Sequence, residues 1–261
     1  MPVHNAERFL QEAILSLQAQ TMTHWELVAV LDRCTDASRQ LLSEADDERI
    51  RVLDAPSPGG LVTALNFGLR ECRAEAVARL DADDVCDPFR LGIQLRALEA
   101  RPRLGVLGSA AITIDEASRT TGLRRVPCGT KKVQRRLLWR NALIHPSVMF
   151  RRSLILGLGG YDPSCARFED YDLWLRTAGV ADVDNLTIPL LRYRVHQGQT
   201  SRRFAMSEVN LGVLYQSRLV AARRIGVPTV GVATRHAAWV LGQRRGRARR
   251  WTQQLDFWHR S

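Results

Sequence analysis

The sequence of 261 residues predicts an α/β fold: a mostly parallel sheet flanked by helices, followed by a C-terminal helical extension. Two observations carry that expectation. Short apolar runs at 27–31 and 76–80 end abruptly in acids, and segments of helical periodicity separate them. Strands that end in polar residues and are joined by helices build parallel sheets, whose ligands bind at the carboxyl ends of the strands. The composition, 45% hydrophobic and 25% charged, is that of a globular chain able to bury a sizeable core.

Each element follows in turn. Phe9, Leu10, Ala13, Ile14 and Leu17 recur at helical spacing behind Asn5, which predicts a first helix capped by Asn5. After the run ending at Asp32, a helical stretch over 37–45 leads to a strand over 50–53. The Gly59-Gly60 break precedes a third helix reaching about residue 72, and the strand 76–80 follows. Asp87-Pro88 restarts a helix with a cap and a first-turn proline. Residues 105–114 read as another buried strand. From 116 to 145 the pattern is irregular and more basic, with a helix over 131–140 and an inserted or antiparallel portion. Strand-like 148–150 and 186–195 bracket a helix near 170–179, and beyond Ser201 the pattern is helical to the end.

The formal net charge of +11 is unevenly distributed. Residues 201–261 hold 12 Arg and no Lys against Glu208 and Asp256, which is +10 and leaves +1 for residues 1–200. The body and the tail therefore call for separate explanations. Five scattered cysteines (Cys34, Cys72, Cys86, Cys128, Cys165) have no C-x-x-C spacing, which argues against a disulfide framework or a zinc site and suits a reducing cytosol. No secretory leader is visible at the N-terminus, and no apolar run approaches the roughly 18 residues that span a bilayer.

The most informative segment is Arg79-Leu80-Asp81-Ala82-Asp83-Asp84. Three carboxylates at the end of a buried strand repel one another unless something cationic sits among them. A hard divalent cation that also bridges phosphate oxygens meets that need; an acidic turn-and-cap cluster is the bland alternative. Asp87 is explained as a helix cap.

With its context the segment resembles glycosyltransferase family 2, enzymes of the GT-A (Rossmann-like) fold, over residues 1–201. The matching pieces stand in the family's order: MPVHNAERFLQEAILSLQAQT, ELVAVLDRCTDAS, GGLVTALNFGL, ARLDADDVCDPFRL, HPSVMFRRSLILGLGGYD, FEDYDLWLR and LRYRVHQGQTS. The resemblance implies transfer of a sugar from a nucleotide-diphosphate donor, a UDP-sugar above all, to a hydroxyl acceptor with inversion and with Mg²⁺ or Mn²⁺. Position by position it implies that Asp81 and Asp83 are the D-x-D pair. Asp83 would bind the metal directly, Asp81 would lie nearer the ribose or metal, and Asp84 would stand behind them. Asp32 matches the acid that hydrogen-bonds the donor's base, and Asp170 the catalytic base, with Glu169 as fallback; an acidic pair at a helix N-terminus is the structural alternative. His196 matches an element near the diphosphate, where it would complete the metal shell or contact phosphate, unless it simply ends a strand. Asn66 and Gly68 fit a segment beneath the donor site, or core packing. His145 matches an acceptor-side or structural position, and Trp174 reads as core.

Two departures stand out. The family has several residues ahead of the M-P-V-x-N equivalent, forming a first strand, so the first β-strand here reads as missing or truncated. We expect Met1 to be an internal methionine, with an apolar run encoded ahead of it. Second, the family's acidic pair followed by Gly-Ser is here Leu31-Asp32-Arg33-Cys34, so the loop takes another path and donor identity is open. A catalytically silent, glycosyltransferase-like binding or scaffold protein is the alternative class.

Residues 202–261 fall outside the resemblance. Trp251, Leu255 and Trp258 form one helical stripe behind Arg244, Arg245, Arg247, Arg249 and Arg250. Basic residues beside aromatic ones suit an interfacial helix on an anionic leaflet. The expectation is a cytoplasmic enzyme, peripheral on the inner face of the membrane, acting on a glycan or lipid-linked acceptor. A helix packed on the catalytic body is the other reading of the tail. No nucleic-acid recognition module is visible.

Overall fold

A computed structural model describes residues 1–165, 167–198 and 208–245. The chain runs β1 (Pro2–Val3), α1 (Glu7–Gln18), β2 (Leu27–Leu31), α2 (Ser38–Glu44), β3 (Ile50–Asp54), α3 (Leu61–Glu71), β4 (Ala76–Ala78) and β5 (Val85–Cys86). Then come α4 (Arg90–Glu99), β6 (Leu104–Ile114), β7 (Thr120–Arg124), α5 (Thr130–Leu137), β8 (Met149–Arg151), α6 (Arg152–Gly157), α7 (Glu169–Ala178), β9 (Asp182–Arg194), α8 (Glu208–Arg224) and α9 (Thr229–Arg245).

The α/β class stands, in two sheets. β1, β2 and β3 are parallel, with Pro2 opposite Val30 and Leu27 opposite Ile50. The second sheet has the order β4-β8-β6-β9-β5, with β7 added to β6. In it β6 and β9 run parallel while the remaining pairs are antiparallel. Parallel neighbours need a crossover of a dozen or so residues; the short turn between β6 and β7 permits only an antiparallel return. The first strand is present as two residues of β1.

Helix starts differ from expectation. Asn5 does not cap α1: it sits at φ 48° and its Oδ1 accepts the Thr35 N–H at 2.8 Å. The N-termini of α1 and α2 cap each other instead. Ala6 N–H donates to Ser38 Oγ, Glu7 N–H to Asp36 Oδ2, and Ala37 N–H to Glu7 Oε2, at 2.9 to 3.0 Å. Both acceptors of α1 thus lie about 30 residues away, where no local capping rule looks, while α2 also has a local one, Asp36 Oδ1 accepting the Ser38 N–H at 3.0 Å. Asp87 Oδ1 accepts the Phe89 N–H at 2.9 Å, and α4 begins only at Arg90.

All five residues of β2 are buried, so the acid that follows it is delivered from a rigid strand. The largest apolar cluster gathers Val106, Phe150, Leu173 and Trp174, and it extends to Leu214, Ala221 and Ala222 of α8 and Val232 of α9. Trp174 is therefore core. Polar contacts repeat the union: Ser217 Oγ donates to Asp172 Oδ1 at 2.7 Å, and Arg218 Nη2 donates to the Tyr171 hydroxyl at 3.1 Å. The described part of the extension is packed on α7. The stripe Trp251, Leu255 and Trp258, with Arg247, Arg249 and Arg250, lies outside the described residues.

Leu214 is fully buried, so Leu214→Ala is expected to cost about 2–4 kcal/mol. Because α8 shares its core with α7, the loss appears as a lower Tm of one cooperative transition by calorimetry, with no separate early melt.

Candidate active site

The ends of β2 and β4 and the start of α7 deliver the acids. Asp32 follows β2 and is nearly buried. Its Oδ2 accepts the Gly60 N–H at 2.9 Å and its Oδ1 the Arg33 Nε–H at 2.9 Å. Two backbone features permit this. Arg33 turns at φ 52°, which leaves its guanidinium largely exposed at the mouth. Gly59 lies at φ +80°, and a Cβ there would overlap Asp32 Oδ1.

Asp81, Asp83 and Asp84 follow β4 and converge, with carboxylate oxygens within 4.8 Å of one another. Asp81 is ion-paired with the guanidinium of Arg79, which is almost entirely buried. Asp83 Oδ2 lies 2.9 Å from His196 Nε2. Burial, and then the charge of Asp81, raise the Asp83 carboxyl, while His196 and Arg79 work against that rise. Asp84 is buried; its Oδ1 accepts the Arg194 N–H at 2.8 Å, and its Oδ2 has no partner among the described residues. Burial, then Asp81 and Asp83, hold it well above the ordinary carboxyl range. An orphaned buried oxygen beside two more carboxylates is the environment of a hard cation, so the residues present fit Mg²⁺ or Mn²⁺.

Asp170 and Glu169 open α7. The Asp170 carboxylate accepts from Asn141 Nδ2 at 2.7 Å and from the Tyr171 N–H at 2.6 Å. Burial raises its pKa, and those two bonds and Arg79 oppose the rise. Glu169 is more deeply buried, and its Oε2 has no partner among the described residues. Burial first, and Asp170 second, push it up to about 7. Arg79, paired with Asp81, also opposes the raised pKa values of Asp83, Asp84, Glu169 and Asp170.

The remaining sequence-chosen residues divide. His196 joins the acids. Asn66 turns both amide atoms to Tyr161, donating to its carbonyl at 2.7 Å and accepting its N–H at 2.8 Å, so it holds α3 to the loop at Gly160 and is not turned to the carboxylates. Gly68 lets α3 lie close on Val30. His145 Nε2 contacts the Tyr161 hydroxyl at 3.0 Å; burial and then Arg79 hold its pKa well below 6.5, so it is neutral.

Four further residues escaped sequence reasoning: Arg79, Asn141, Tyr161 and Arg194. Arg194 is fully buried. Its guanidinium donates to the carbonyls of Asp83 at 2.7 Å and Asp115 at 3.0 Å and pairs with Glu12. The one legible signal was Arg79, two residues before Asp81, because in extended chain alternate residues share a face. Asn141, Tyr161 and Arg194 meet their partners only through tertiary structure.

Strand ends that present a lone acid and an acidic triplet, on this topology, define a GT-A glycosyltransferase fold. Solved structures agree: the chain superposes on S. aureus TarS 1–349 in complex with UDP-GlcNAc with TM-score 0.71 and 18% identity, over 91% of this chain and 71% of that one. It superposes on the mannosyltransferase PcManGT from Pyrobaculum calidifontis, in complex with GDP-Man and Mn²⁺, with TM-score 0.59 and 18% identity, over 98% and 83%. The model of glycosyl transferase family 2 matches residues 1–157, and the chain belongs to that family. It is 31% identical to the O-antigen biosynthesis glycosyltransferase WbnJ of Escherichia coli, over 77% of this chain and 80% of that one. It is also 26% identical to the UDP-Gal:alpha-D-GlcNAc-diphosphoundecaprenol beta-1,3-galactosyltransferase of Escherichia coli, over 79% and 78%. The protein is a glycosyltransferase.

Glu169 yields a pH prediction. Its carboxyl titrates at about 7 in the folded chain against 4.5 ordinarily, so between these values the folded form keeps a proton that the unfolded form has released. Stability therefore falls as pH rises through this window and stays lower above it. Glu169→Gln removes the titration. Relative to the parent it should be near neutral at pH 4.5 and more stable by about 1–3 kcal/mol at pH 8, read from urea midpoints at the two pH values.

Proposed function

We propose that this enzyme transfers a sugar from a UDP-sugar to an acceptor hydroxyl with inversion, assisted by Mg²⁺ or Mn²⁺, with Asp170 as general base. The observation that carries the reading is the convergence of Asp81, Asp83 and Asp84, where the two buried guanidinia alongside, Arg79 and Arg194, are already paired with Asp81 and Glu12. A diphosphate brings more negative charge to such a space, and it requires an added cation.

Asp83 and Asp81 would hold the metal, and His196 would join them. His196 Nε2 lies 2.9 Å from Asp83 Oδ2, so the imidazole stands where it would join Asp83 in holding the ion. When bound, the cation neutralises charge that develops on the diphosphate as its bond to the sugar breaks. Asp32 reads the base by accepting an imide N–H; a carboxylate has about four lone-pair sites, and Gly60 and Arg33 leave room for that bond. Asp170, held by Asn141, takes the acceptor hydroxyl's proton as its oxygen attacks the anomeric carbon from the face opposite the diphosphate. One displacement inverts that carbon. Glu169, buried beside it, is the fallback base.

Residues 1–201 form the catalytic unit in this reading, and residues 202–261 the basic extension. It is the tail beyond α9 that brings the enzyme to the inner face of the membrane, where a lipid-linked glycan is the acceptor. The relative whose printed name specifies a diphosphoundecaprenol acceptor supports this.

A thermal-shift screen of nucleotide sugars with Mn²⁺ tests the donor. UDP-sugars should raise Tm only when Mn²⁺ is present, and Asp83→Ala should abolish the rise; an equal response to GDP-sugars removes the uridine assignment. Asp170→Asn should keep the donor-dependent shift while lowering kcat by about 10²–10⁴-fold. The parent's rate should fall on acidification through the raised pKa of Asp170, because its protonated form cannot accept a proton. Turnover of the Asn variant within a few-fold of the parent would unseat Asp170 as the base.

Vesicle flotation tests the tail. The full chain should float with anionic vesicles at low salt, and a chain lacking 246–261 should not. Equal flotation of the two would assign the tail elsewhere.

A further inference from the structure

Two long stretches of the sequence contain no acid. Residues 117–161 hold ten Arg and Lys without an Asp or Glu, and residues 209–255 hold nine Arg without one. The near-neutral balance of residues 1–200 therefore conceals a strongly basic segment. In the fold the two stretches meet at Trp139, just past α5. Arg235 of α9 lies over its ring, 4.7 Å from the centroid, and Arg218 Nη2 of α8 lies 3.5 Å from its carbonyl oxygen. Lys131, Lys132 and Arg135 of α5, and Arg140 beyond it, are exposed.

These charges are not arranged for stability. Arg140 N–H donates to the Arg136 carbonyl at 3.1 Å, which extends the helical turn and sets two guanidinia at i and i+4. Like charges at that spacing oppose the helix. Burial, and then the charge of Arg140, lower the pKa of Arg136. Arg218 is buried, and its polar partners among the described residues are all neutral: the Tyr171 hydroxyl, the Trp139 carbonyl and His236. His236 is neutral because burial, and then Arg218, lower its pKa to about 4. The Arg218 Nε–H has no partner among the described residues. Burial raises the Tyr171 hydroxyl, and the charges of Arg218 and Arg140 both oppose that rise, so the two guanidinia stand near one ring. A buried cation that no carboxylate pairs leaves a positive potential around it, which favours an anion close by.

This basic group adjoins the acids of α7. Asn141, next to Arg140, donates to Asp170 Oδ2 at 2.7 Å, and Tyr171, next to Asp170, accepts from Arg218 at 3.1 Å. We propose that Arg136 and Arg140, backed by Arg218, form a subsite for a phosphate or diphosphate group carried by the acceptor. The inference rests on the reading of Asp170 as the base, because the base marks where the acceptor hydroxyl lies. The acidic triplet repels any anion that comes without its own cation, so a negatively charged acceptor needs separate positive ground beside Asp170. Guanidinium forks match the paired oxygens of a phosphate, and two of them one helical turn apart suit a diphosphate better than a single carboxylate. An anion between Arg136 and Arg140 also relieves their mutual repulsion.

The test is calorimetric binding of geranyl diphosphate, geraniol and inorganic pyrophosphate to the full chain in EDTA, where the acidic triplet holds no metal. Geranyl diphosphate should bind, more weakly as salt rises, and geraniol should not. The double variant Arg136→Gln/Arg140→Gln should weaken geranyl diphosphate by about tenfold or more. Arg39→Gln/Arg73→Gln removes the same charge from exposed positions elsewhere and should bind as the parent does, as should Asp83→Ala. No binding by the parent, or equal binding by the parent and the Arg136/Arg140 variant, would overturn the proposal. Inorganic pyrophosphate binding more tightly than geranyl diphosphate would overturn it in favour of a free anion. Flotation on anionic vesicles lost in that variant, with geranyl diphosphate binding intact, would overturn it in favour of a lipid surface. Asp170→Asn should bind geranyl diphosphate like the parent, so a failure of the base assignment, which is read from turnover, stays separate from a failure of the subsite.

Discussion

The buried guanidinium of Arg79 is the interaction on which the site depends. Burial works against its charge, and the carboxylate of Asp81 more than restores it, so Arg79 is held above its ordinary pKa. A lone buried cation costs several kcal/mol, and so does a lone buried carboxylate; together they are tolerable because each solvates the other. The chain thereby keeps five carboxyl groups, Asp81, Asp83, Asp84, Glu169 and Asp170, within reach of one positive centre. One guanidinium does not neutralise five acids. Burial is the first cause of the raised carboxyl pKa values of Asp83, Asp84, Glu169 and Asp170; neighbouring carboxylates add to it at Asp83, Asp84 and Glu169, and leave the acidic triplet suited to further positive charge. The same centre keeps His145 neutral, so that the histidine under the site is a packing and hydrogen-bonding group.

That arrangement must be held against its own repulsion, and β9 does the holding. Arg194 reaches from the end of β9 to the Asp83 carbonyl, its N–H fixes Asp84 Oδ1, and His196, two residues further on, meets Asp83 Oδ2. Three consecutive contacts therefore tie the acidic loop to a strand more than 100 residues away. β9 is in turn anchored by its long parallel pairing with β6, from Asp182 to Arg194. Asp170 is held in a similar way, by Asn141 from outside its own helix. The acids are fixed by backbone donors and buried side chains, which is what a site needs if charge is to be handled without reorganisation.

How much of this was legible in the sequence depends on range. Strand ends and helix periodicity placed Asp32, Asp81, Asp83 and Asp170 at the termini of β2, β4 and α7, because burial patterns of period 2 and 3.6 are local. Local rules also misled. Asn5 has the right chemistry for a cap, but α1 and α2 lie side by side, and their side chains serve each other's N-termini. Asn66 read equally well as a donor-site residue or as packing, and only the fold shows both its amide atoms engaged by Tyr161. Arg194 was invisible as a functional residue, since an arginine on a strand of mixed polarity reads as solvated until the loop that it grips is known. The antiparallel portion expected within 116–145 is present as β7 against β6, but the antiparallel pairings of β8 with β4 and β6, and of β5 with β9, join segments distant in sequence and had no local signal.

The tail illustrates a different limit, that of counting charge. Twelve arginines beyond residue 200 read as one basic surface. Within the described helices some of that charge is committed to the fold. Arg218 is buried, with its Nη1 2.7 Å from His236 Nδ1 and its Nη2 on the Tyr171 hydroxyl. Arg224 donates to the Ala178 carbonyl at 3.3 Å and pairs with Asp182 at 3.0 Å, and Arg235 lies over the Trp139 ring. An arginine committed in this way carries its packing and its hydrogen bonds into stability and offers little to an anionic surface. A formal charge of +10 thus mixes two roles. Arg218, Arg224 and Arg235 dock α8 and α9 on the body, and the case for a membrane partner rests on other arginines: Arg244, Arg245, Arg247, Arg249 and Arg250, with the aromatic stripe beyond them.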